Sequence, residues 1–466
     1  MPPVGSRRAC DRCHSLKERC HWRQDQGPVC ARCHRLGFEC LVDRPARKPG
    51  RPRRYATPLM RASMPGDSPS QGKSPGSLYS TLGPMVPRCL PLFNDLTCSE
   101  QRLIQDTLFG DAAMDVFLIG PSFKERHRGL LISHFVVSRH TLKDAFLALA
   151  LAFDHPSAIA LAQQKTEVQY KYASTAIRNL REYNVSSSHG VSECLALGAL
   201  IISFTHYRSS PPDAAPICGQ TLALIKDMYE SDEHLDPDYL VFIPCLILPE
   251  IIDCLMQGSV PTLRFRCRPG AEDHVDRYTG LFCPMLPYLY DICELNNAAS
   301  HADQEDLHDI LEAIDRIELT VTAWQPHIPE AFATRFTTAE VLHMLCQAQV
   351  VRLGAMLLIH RLRYPFGTNI APALALATAI LTQLDLTQAA TNHSILSITL
   401  PLLAACFEIK EEADRRVWLS RIPGLVGYSV DFSQYLQGRI SSFWELLDDV
   451  QVVSWYNIRN MLQLYN

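Results

Sequence analysis

Long uninterrupted apolar runs are scarce in this chain of 466 residues. The most apolar stretches are ECLALGALIISF (193–204), YLVFIPCLILPEIIDCLM (239–256) and ILSITLPLLAACF (395–407). They are short or broken by proline and acidic residues, so no membrane partner is expected. The start, MPPVGSRRACDRC, lacks the apolar core of a secretory signal. The expectation is an intracellular, reducing compartment, with cysteines as thiols or metal ligands rather than disulfides. Strand-like alternation of apolar and polar residues is rare. There is no His-Glu-x-x-His, no Gly-x-Ser-x-Gly, no phosphate loop and no strand–glycine–helix fingerprint, so no enzyme is expected. His134, His140, His206 and His360 are scattered through helical sequence and read as core or surface histidines.

What is present is unevenly distributed. The composition, 47% hydrophobic and 20% charged, is that of a globular protein, and the length allows two or three domains. The net charge of −5 conceals a division. Residues 1–54 carry fourteen Lys and Arg against five Asp and Glu, a net of +9, which leaves −14 on the other 412 residues. A basic head on an acidic body implies a polyanionic partner for the head.

Six of the 17 cysteines fall within 31 residues, in CDRCHSLKERC (10–20) and CARCHRLGFEC (30–40). The other eleven, among them Cys194, Cys245 and Cys406, lie in apolar surroundings and read as small core residues. Both cassettes follow Cys-x-Arg-Cys-His-x-Leu-x-x-x-Cys. A Cys-x-x-Cys pair brings two thiolates to one metal, and tetrahedral zinc takes four ligands. One cassette supplies three, so neither closes a site alone. Two zincs need eight ligand positions, and six sulfurs suffice if two thiolates each bridge both metals. The repeat then makes one two-metal cluster with pseudo-twofold symmetry. A disulfide knot would need secretion, and a thioredoxin-type pair would need an α/β context. RING and zinc-ribbon sites have other ligand counts and gaps. His14 and His34 are expected at the surface, since six thiolates suffice.

This spacing resembles the fungal binuclear zinc cluster of transcription factors, and Asp11 and Pro28 match further details of that pattern. The resemblance implies two Zn2+ held by Cys10, Cys13, Cys20, Cys30, Cys33 and Cys40. Cys10 and Cys30 would bridge, Cys13 and Cys20 would complete one zinc, and Cys33 and Cys40 the other. About forty residues bury too little apolar surface to fold alone, so metal binding would supply the folding free energy, roughly 10–16 kcal/mol per structural zinc. Arg7, Arg8, Arg12, Arg19, Arg32 and Arg35 would offset the cluster's formal charge of −2.

Each Cys-x-x-Cys is expected to open a short helix, the second ending near Gly37. DRCHSLKER is basic and polar, whereas ARCHRLGFE offers Leu36 and Phe38 for packing, so the first is expected in the major groove of double-stranded DNA. In the resembled family a lysine of this helix reads a CGG-type triplet. Lys17 holds the matching place, and Arg12 and Arg19 are expected on phosphates. Leu16 and Glu18 flank Lys17, and His14 stands where arginine is common. Fewer phosphate contacts or a shifted base preference would follow. RPARKPGRPRRY (44–55) resembles an AT-hook, with Arg51, Arg53 and Arg54 for a minor groove, and reads alternatively as an import signal or phosphate-binding arm.

Four regions are expected: the zinc cluster at 1–43, the basic arm at 44–55, a flexible Pro/Ser/Gly linker at 56–94, and an all-α regulatory domain at 95–466. Ser68 and Ser74 precede prolines as candidate phosphorylation sites. No sustained heptads follow the cluster, so a homodimer would form through the helical body. Residues 145–153, 168–183, 192–204, 305–324 and 339–364 show helical apolar spacing, and breaks are expected at Pro156, Pro212, Pro237, Pro326 and Pro365. Ten to thirteen helices are expected. LGAMLLIHRLRYPFG (353–367) and LPLLAACFEIKEEADRRVWL (400–419) resemble signatures of the fungal-specific regulatory domain.

The acidic stretch HADQEDLHDILEAID (301–315) reads as a solvated helix face or an activation surface, and SSFWELLDDVQVVSWYN (441–457) as a recruiting segment or a docked last helix. The expectation is a nuclear, pathway-specific activator of RNA polymerase II transcription, for example of a secondary-metabolite gene cluster, contacting the transcription machinery. The alternatives are a repressor, or a zinc module that binds protein without reading DNA.

Overall fold

The computed structural model describes residues 9–11, 13, 20, 29–36, 40–41, 96–153, 165–208, 213–231, 235–267, 273–302, 307–450 and 453–458. The chain divides into two compact units, 1–75 and 76–466. The arm, the linker and both Ser-Pro sites lie outside the described residues.

In the first unit Asp11 and Cys13 are helical, and α1 (Ala31–Leu36) follows the second Cys-x-x-Cys. α1 stops one residue short of Gly37, which is itself outside the described residues.

The second unit is mostly helical over its described residues. It begins with α2 (Cys98–Phe109), α3 (Asp111–Phe117), α4 (Lys124–Val137) and α5 (Arg139–Ala152). Next come α6 (Lys165–Glu182), α7 (Ser188–Arg208), α8 (Ala214–Ser231), α9 (Ile243–Gln257), α10 (Leu286–His301) and α11 (Leu307–Ala323). It closes with α12 (Phe332–Arg335), α13 (Thr338–Arg363), α14 (Ile370–Thr391), α15 (Thr399–Cys406), α16 (Glu412–Leu425) and α17 (Val430–Asp449). No strand forms among the described residues; two isolated bridges join Asp276 to Gly280 and Phe366 to Val453.

The five predicted helical segments are helical over nearly all their described residues, but the sixteen helices among the described residues of this unit exceed the expected ten to thirteen. The expected breaks at Pro237, Pro326 and Pro365 do fall between helices, but proline alone does not mark every boundary. Helices also end at Gly110 and Ser138, while Pro249 and Pro423 sit inside α9 and α16. Pro156 and Pro212 lie outside the described residues.

Of the three apolar stretches only 193–204 lies within a longer helix, α7; α9 and α15 are shorter than 239–256 and 395–407. Among the described residues four segments are long and apolar enough to cross a membrane by length and composition: 188–208, 237–257, 338–363 and 370–391. Burial accounts for the first three, whose apolar windows are 78%, 61% and 67% inside the fold. The window of α14 is only 33% buried.

One hydrophobic cluster runs from Leu96 to Ile458 and includes residues of nearly every helix. α13 is its axis, packed on α14 and α15. Thr337 starts α13 with a capping box: its Oγ1 accepts from Glu340 N (3.3 Å), and Glu340 Oε2 accepts from Thr337 N (2.7 Å). Gly354 lets α15 approach, because a Cβ there would stand 2.9 Å from Pro401 Cβ.

Arg361, 1% exposed, sits in the last turn of the helix. Its Nη1 donates to the carbonyls of Tyr364, Pro365 and Thr368, and its Nε and Nη2 each meet a Glu408 oxygen at 2.6 Å. The stretches 353–367 and 400–419 therefore meet in space, joined by a buried two-point ion pair and a glycine contact.

The scattered cysteines mostly fill the core as expected. Cys194, Cys218, Cys254, Cys293, Cys346 and Cys406 are buried and Cys245 and Cys283 half-buried, but Cys98 and Cys267 are exposed; Cys89 lies outside the described residues. Burial raises the Cys406 thiol to about 12, so it is inert at neutral pH.

The C-terminal aromatics are docked. Phe443 stacks on Phe407 at 3.8 Å, Trp444 donates to the Cys406 carbonyl (2.8 Å) and Trp455 to that of Leu255 (3.1 Å). Phe443, Trp444 and Trp455 are all buried, which rules out their use as an exposed recruiting surface.

Candidate metal centre and nucleic-acid interface

The two cassettes fold as copies of each other. The Cys13 N–H donates to Cys10 Sγ at 3.4 Å, and the Cys33 N–H to Cys30 Sγ at 3.4 Å. The Cys10 N–H donates to Cys20 Sγ at 3.3 Å, and the Cys30 N–H to Cys40 Sγ at 3.3 Å. Every contact recurs twenty residues later. Each Cys-x-x-Cys turn thus aims its two sulfurs to one side, and the third cysteine returns to the first one's backbone.

Between the copies, Cys10 Sγ lies 3.8 Å from Cys30 Sγ and 3.8 Å from Cys33 Sγ, and Cys13 Sγ lies 3.7 Å from Cys30 Sγ. The sulfurs of Cys10, Cys13, Cys30 and Cys33 all lie within 4.8 Å of one another and are buried. A disulfide would need about 2.0 Å. Zinc–sulfur bonds of about 2.3 Å in a tetrahedron place sulfurs about 3.8 Å apart. The donor set therefore fits zinc in both chemistry and spacing.

The six sulfurs are not equivalent. Cys10 and Cys30 are central, since Cys20 and Cys40 each interact with both of them. Burial alone would raise both central thiols. Hydrogen bonds from the Cys13 and Cys33 backbones and from neighbouring thiols outweigh it, leaving Cys10 lowered and Cys30 lowered to about 6. Burial and the nearby sulfurs raise Cys13, Cys20, Cys33 and Cys40. The two central thiols thus ionise more readily than the other four.

Asp11 N donates to the Leu41 carbonyl (2.9 Å), which ties the end of the second cassette to the start of the first. His34 and Arg35 are exposed, as expected of the former. Lys17, Arg12, Arg19, Arg51, Arg53, Arg54 and His14 lie outside the described residues. What sequence reasoning missed is in the body. Nothing in the spacing of Arg361 and Glu408, 47 residues apart, signals their pairing.

Residues 8–49 match the fungal Zn(2)-Cys(6) binuclear cluster domain. Residues 113–462 match the fungal specific transcription factor domain. No curated protein and no solved structure gives a match. Both matched domains are transcription-factor domains rather than enzymes, and the second covers most of the chain. The chain belongs to the fungal-specific transcription factor family, with a binuclear zinc cluster at its head and a helical regulatory body behind it.

Proposed function

We propose that this protein is a nuclear, pathway-specific activator of RNA polymerase II transcription that reads CGG-type triplets in double-stranded DNA. Its head holds two Zn2+ through Cys10, Cys13, Cys20, Cys30, Cys33 and Cys40, with Cys10 and Cys30 as the shared ligands. The observation that carries this is the twofold-related sulfur array, whose 3.7–3.8 Å separations suit tetrahedral zinc. Zinc supplies the cross-links that the head's small apolar content does not.

On that frame Lys17 donates to guanine O6 and N7, while Arg12 and Arg19 fix the register on phosphates. Arg51, Arg53 and Arg54 of the arm add salt-dependent affinity and enter the adjacent minor groove. The head's net +9 supports this reading over a protein-binding zinc module. Regulation of a biosynthetic gene cluster is the pathway we assign. With the C-terminal aromatics buried, the exposed acids Asp309 and Glu312 on α11 are the surface we assign to the transcription machinery.

A homodimer is proposed through the outer face of α14. Leu374 and Leu386 are 48% and 62% exposed there, among Ala371, Ala375, Thr378, Ala379 and Thr382. Small residues let two such faces approach closely about a twofold axis. Leu386→Glu should shift a concentration-dependent sedimentation profile to monomer; an unchanged profile rejects this interface.

The full-length, zinc-loaded protein should enrich a CGG-like triplet from a randomised DNA pool at moderate salt, and Lys17→Ala should lose it. Salt-sensitive binding with no enriched sequence would reject base reading by the head. A reporter placed behind the enriched site should rise; a fall would identify a repressor.

A further inference from the structure

We propose a second site in the helical body, a cavity that takes a small apolar carboxylic acid, one aromatic ring or its aliphatic equivalent in size, with the carboxylate on Arg439. The cavity has a volume of about 140 Å³ and lies among α7, α9, α15 and α17. Close-packed interiors rarely leave so much space. A cavity of about 150 Å³ is known to admit benzene, which sets the ligand at one ring. Phe117, Tyr278, Phe407, Tyr428 and Phe432 contribute to its walls.

The wall is built in ways that packing alone does not require. Ser397 holds a left-handed backbone, φ 59°, unusual for a residue with a side chain. Its Oγ donates to the Tyr278 carbonyl at 3.0 Å, which fixes it against the cavity. Pro249 sits inside α9 and has no N–H, so the Cys245 carbonyl loses its helical partner. Both residues line the cavity.

The His206 ring also lines it. Tyr428 (5.0 Å) and Phe432 (5.4 Å) flank the ring, which has no hydrogen-bond partner among the described residues. Burial lowers its pKa to about 4, so it stands neutral. The cavity therefore offers an uncharged imidazole within an aromatic shell.

Charge selects the ligand class. Arg439 is half-buried in the lining and makes no ion pair or hydrogen bond among the described residues. Asp253, the other charged residue of the lining, already has an interaction partner. Tyr435 stands near both; burial raises its hydroxyl, Arg439 opposes the rise and Asp253 adds to it. An apolar body with an anionic end satisfies the aromatic walls and the guanidinium together, in a two-point charge-assisted contact. This inference is independent of the DNA reading, because its readout is binding to the body.

The test is calorimetric titration and thermal unfolding of the full-length, zinc-loaded protein with phenylacetate, 3-methylbutanoate, toluene and phenylacetamide. Phenylacetate is expected to bind saturably, one per chain, and to raise the melting temperature of the body. Phenylacetamide should bind at least tenfold more weakly. Arg439→Gln should weaken phenylacetate at least tenfold while leaving toluene unchanged. Three results would overturn the proposal: no saturable phenylacetate binding by folded protein, equal affinity for phenylacetate and phenylacetamide, or undiminished phenylacetate binding by the variant. The two-ligand comparison on the unaltered chain stands whether or not the variant folds.

Discussion

Head and body close their cores with opposite materials. In the head the buried core is four sulfurs, those of Cys10, Cys13, Cys30 and Cys33, and Val29 is the one non-cysteine hydrophobic packed on it among the described residues. In the body a continuous hydrophobic cluster reaches from Leu96 to Ile458. Sulfur packed only on sulfur excludes little apolar surface from water, so the head's stability must come from what the sulfurs bind. The body's stability is spread over many side chains, and no single group decides whether it folds. The lesson is that one chain carries two stability scales, one tied to metal and one to area.

Chelation separates them most forcefully. Removing zinc withdraws roughly 10–16 kcal/mol per ion from the head. A strong chelator should abolish sequence-specific DNA binding and leave the body's calorimetric transition in place. Loss of both transitions would mean that the body also depends on the metal. Native mass spectrometry sharpens the point. In the proposed cluster each central sulfur serves both ions, so Cys10→Ser or Cys30→Ser should release both zincs, whereas Cys20→Ser or Cys40→Ser should cost one.

Within the body, the nearest counterpart to a metal ligand is the Arg361–Glu408 pair, with both side chains buried. Removing one partner strands a buried charge. Arg361→Met should cost about 3–5 kcal/mol in urea unfolding. The double change Arg361→Met with Glu408→Leu should recover most of that loss, since an apolar pair of similar volume needs no charge compensation. Zinc content should not move in either variant. A double variant as unstable as the single one would make the pair, and not the stranded charge, the source of stability.

Acid probes the body next. His134 is buried, with Ser192 Oγ 3.3 Å from its Nε2. Burial first, then His189, lowers its pKa to about 4 against the pull of Glu193. A free histidine titrates near 6.5, so below that pH the unfolded chain takes up a proton that the folded chain refuses. The contribution is whole above about pH 6.5 and is lost as pH falls toward 4. About 2 kcal/mol should disappear between pH 7 and pH 5. His134→Gln should flatten that slope in urea midpoints; an unchanged slope would place the acid sensitivity elsewhere.

The same contrast decided what could be read from sequence. A metal site is local and its chemistry demands fixed residue types, so the gaps between Cys10 and Cys40 disclosed both cassettes and their pairing. Helical spacing likewise disclosed 168–183 and 339–364, where one face repeats over several turns. Long-range packing left no such trace. The meeting of Arg361 with Glu408 and the approach of Gly354 to Pro401 depend on how distant helices cross. The passage of Pro249 through α9 runs against local propensity, which the burial of that helix overrides. The cavity was invisible for the same reason, because its lining is drawn from Phe117 to Arg439.

The smallest effects test how widely the body spreads its stability. Two of its helices start with the same device, Thr97 with Glu100 and Thr337 with Glu340. Thr97→Ala and Thr337→Ala should each cost about 1 kcal/mol or less. Thr337 should be the costlier. Its partner Glu340 is 1% exposed and also accepts from Ser122 N (2.8 Å) and Ser122 Oγ (2.7 Å), so a backbone N–H freed there has no water to turn to. At Thr97 the site is exposed and solvent replaces the cap. Urea midpoints of the two variants measure the difference. A loss above about 3 kcal/mol at either cap would mean that the body, like the head, hangs on single groups.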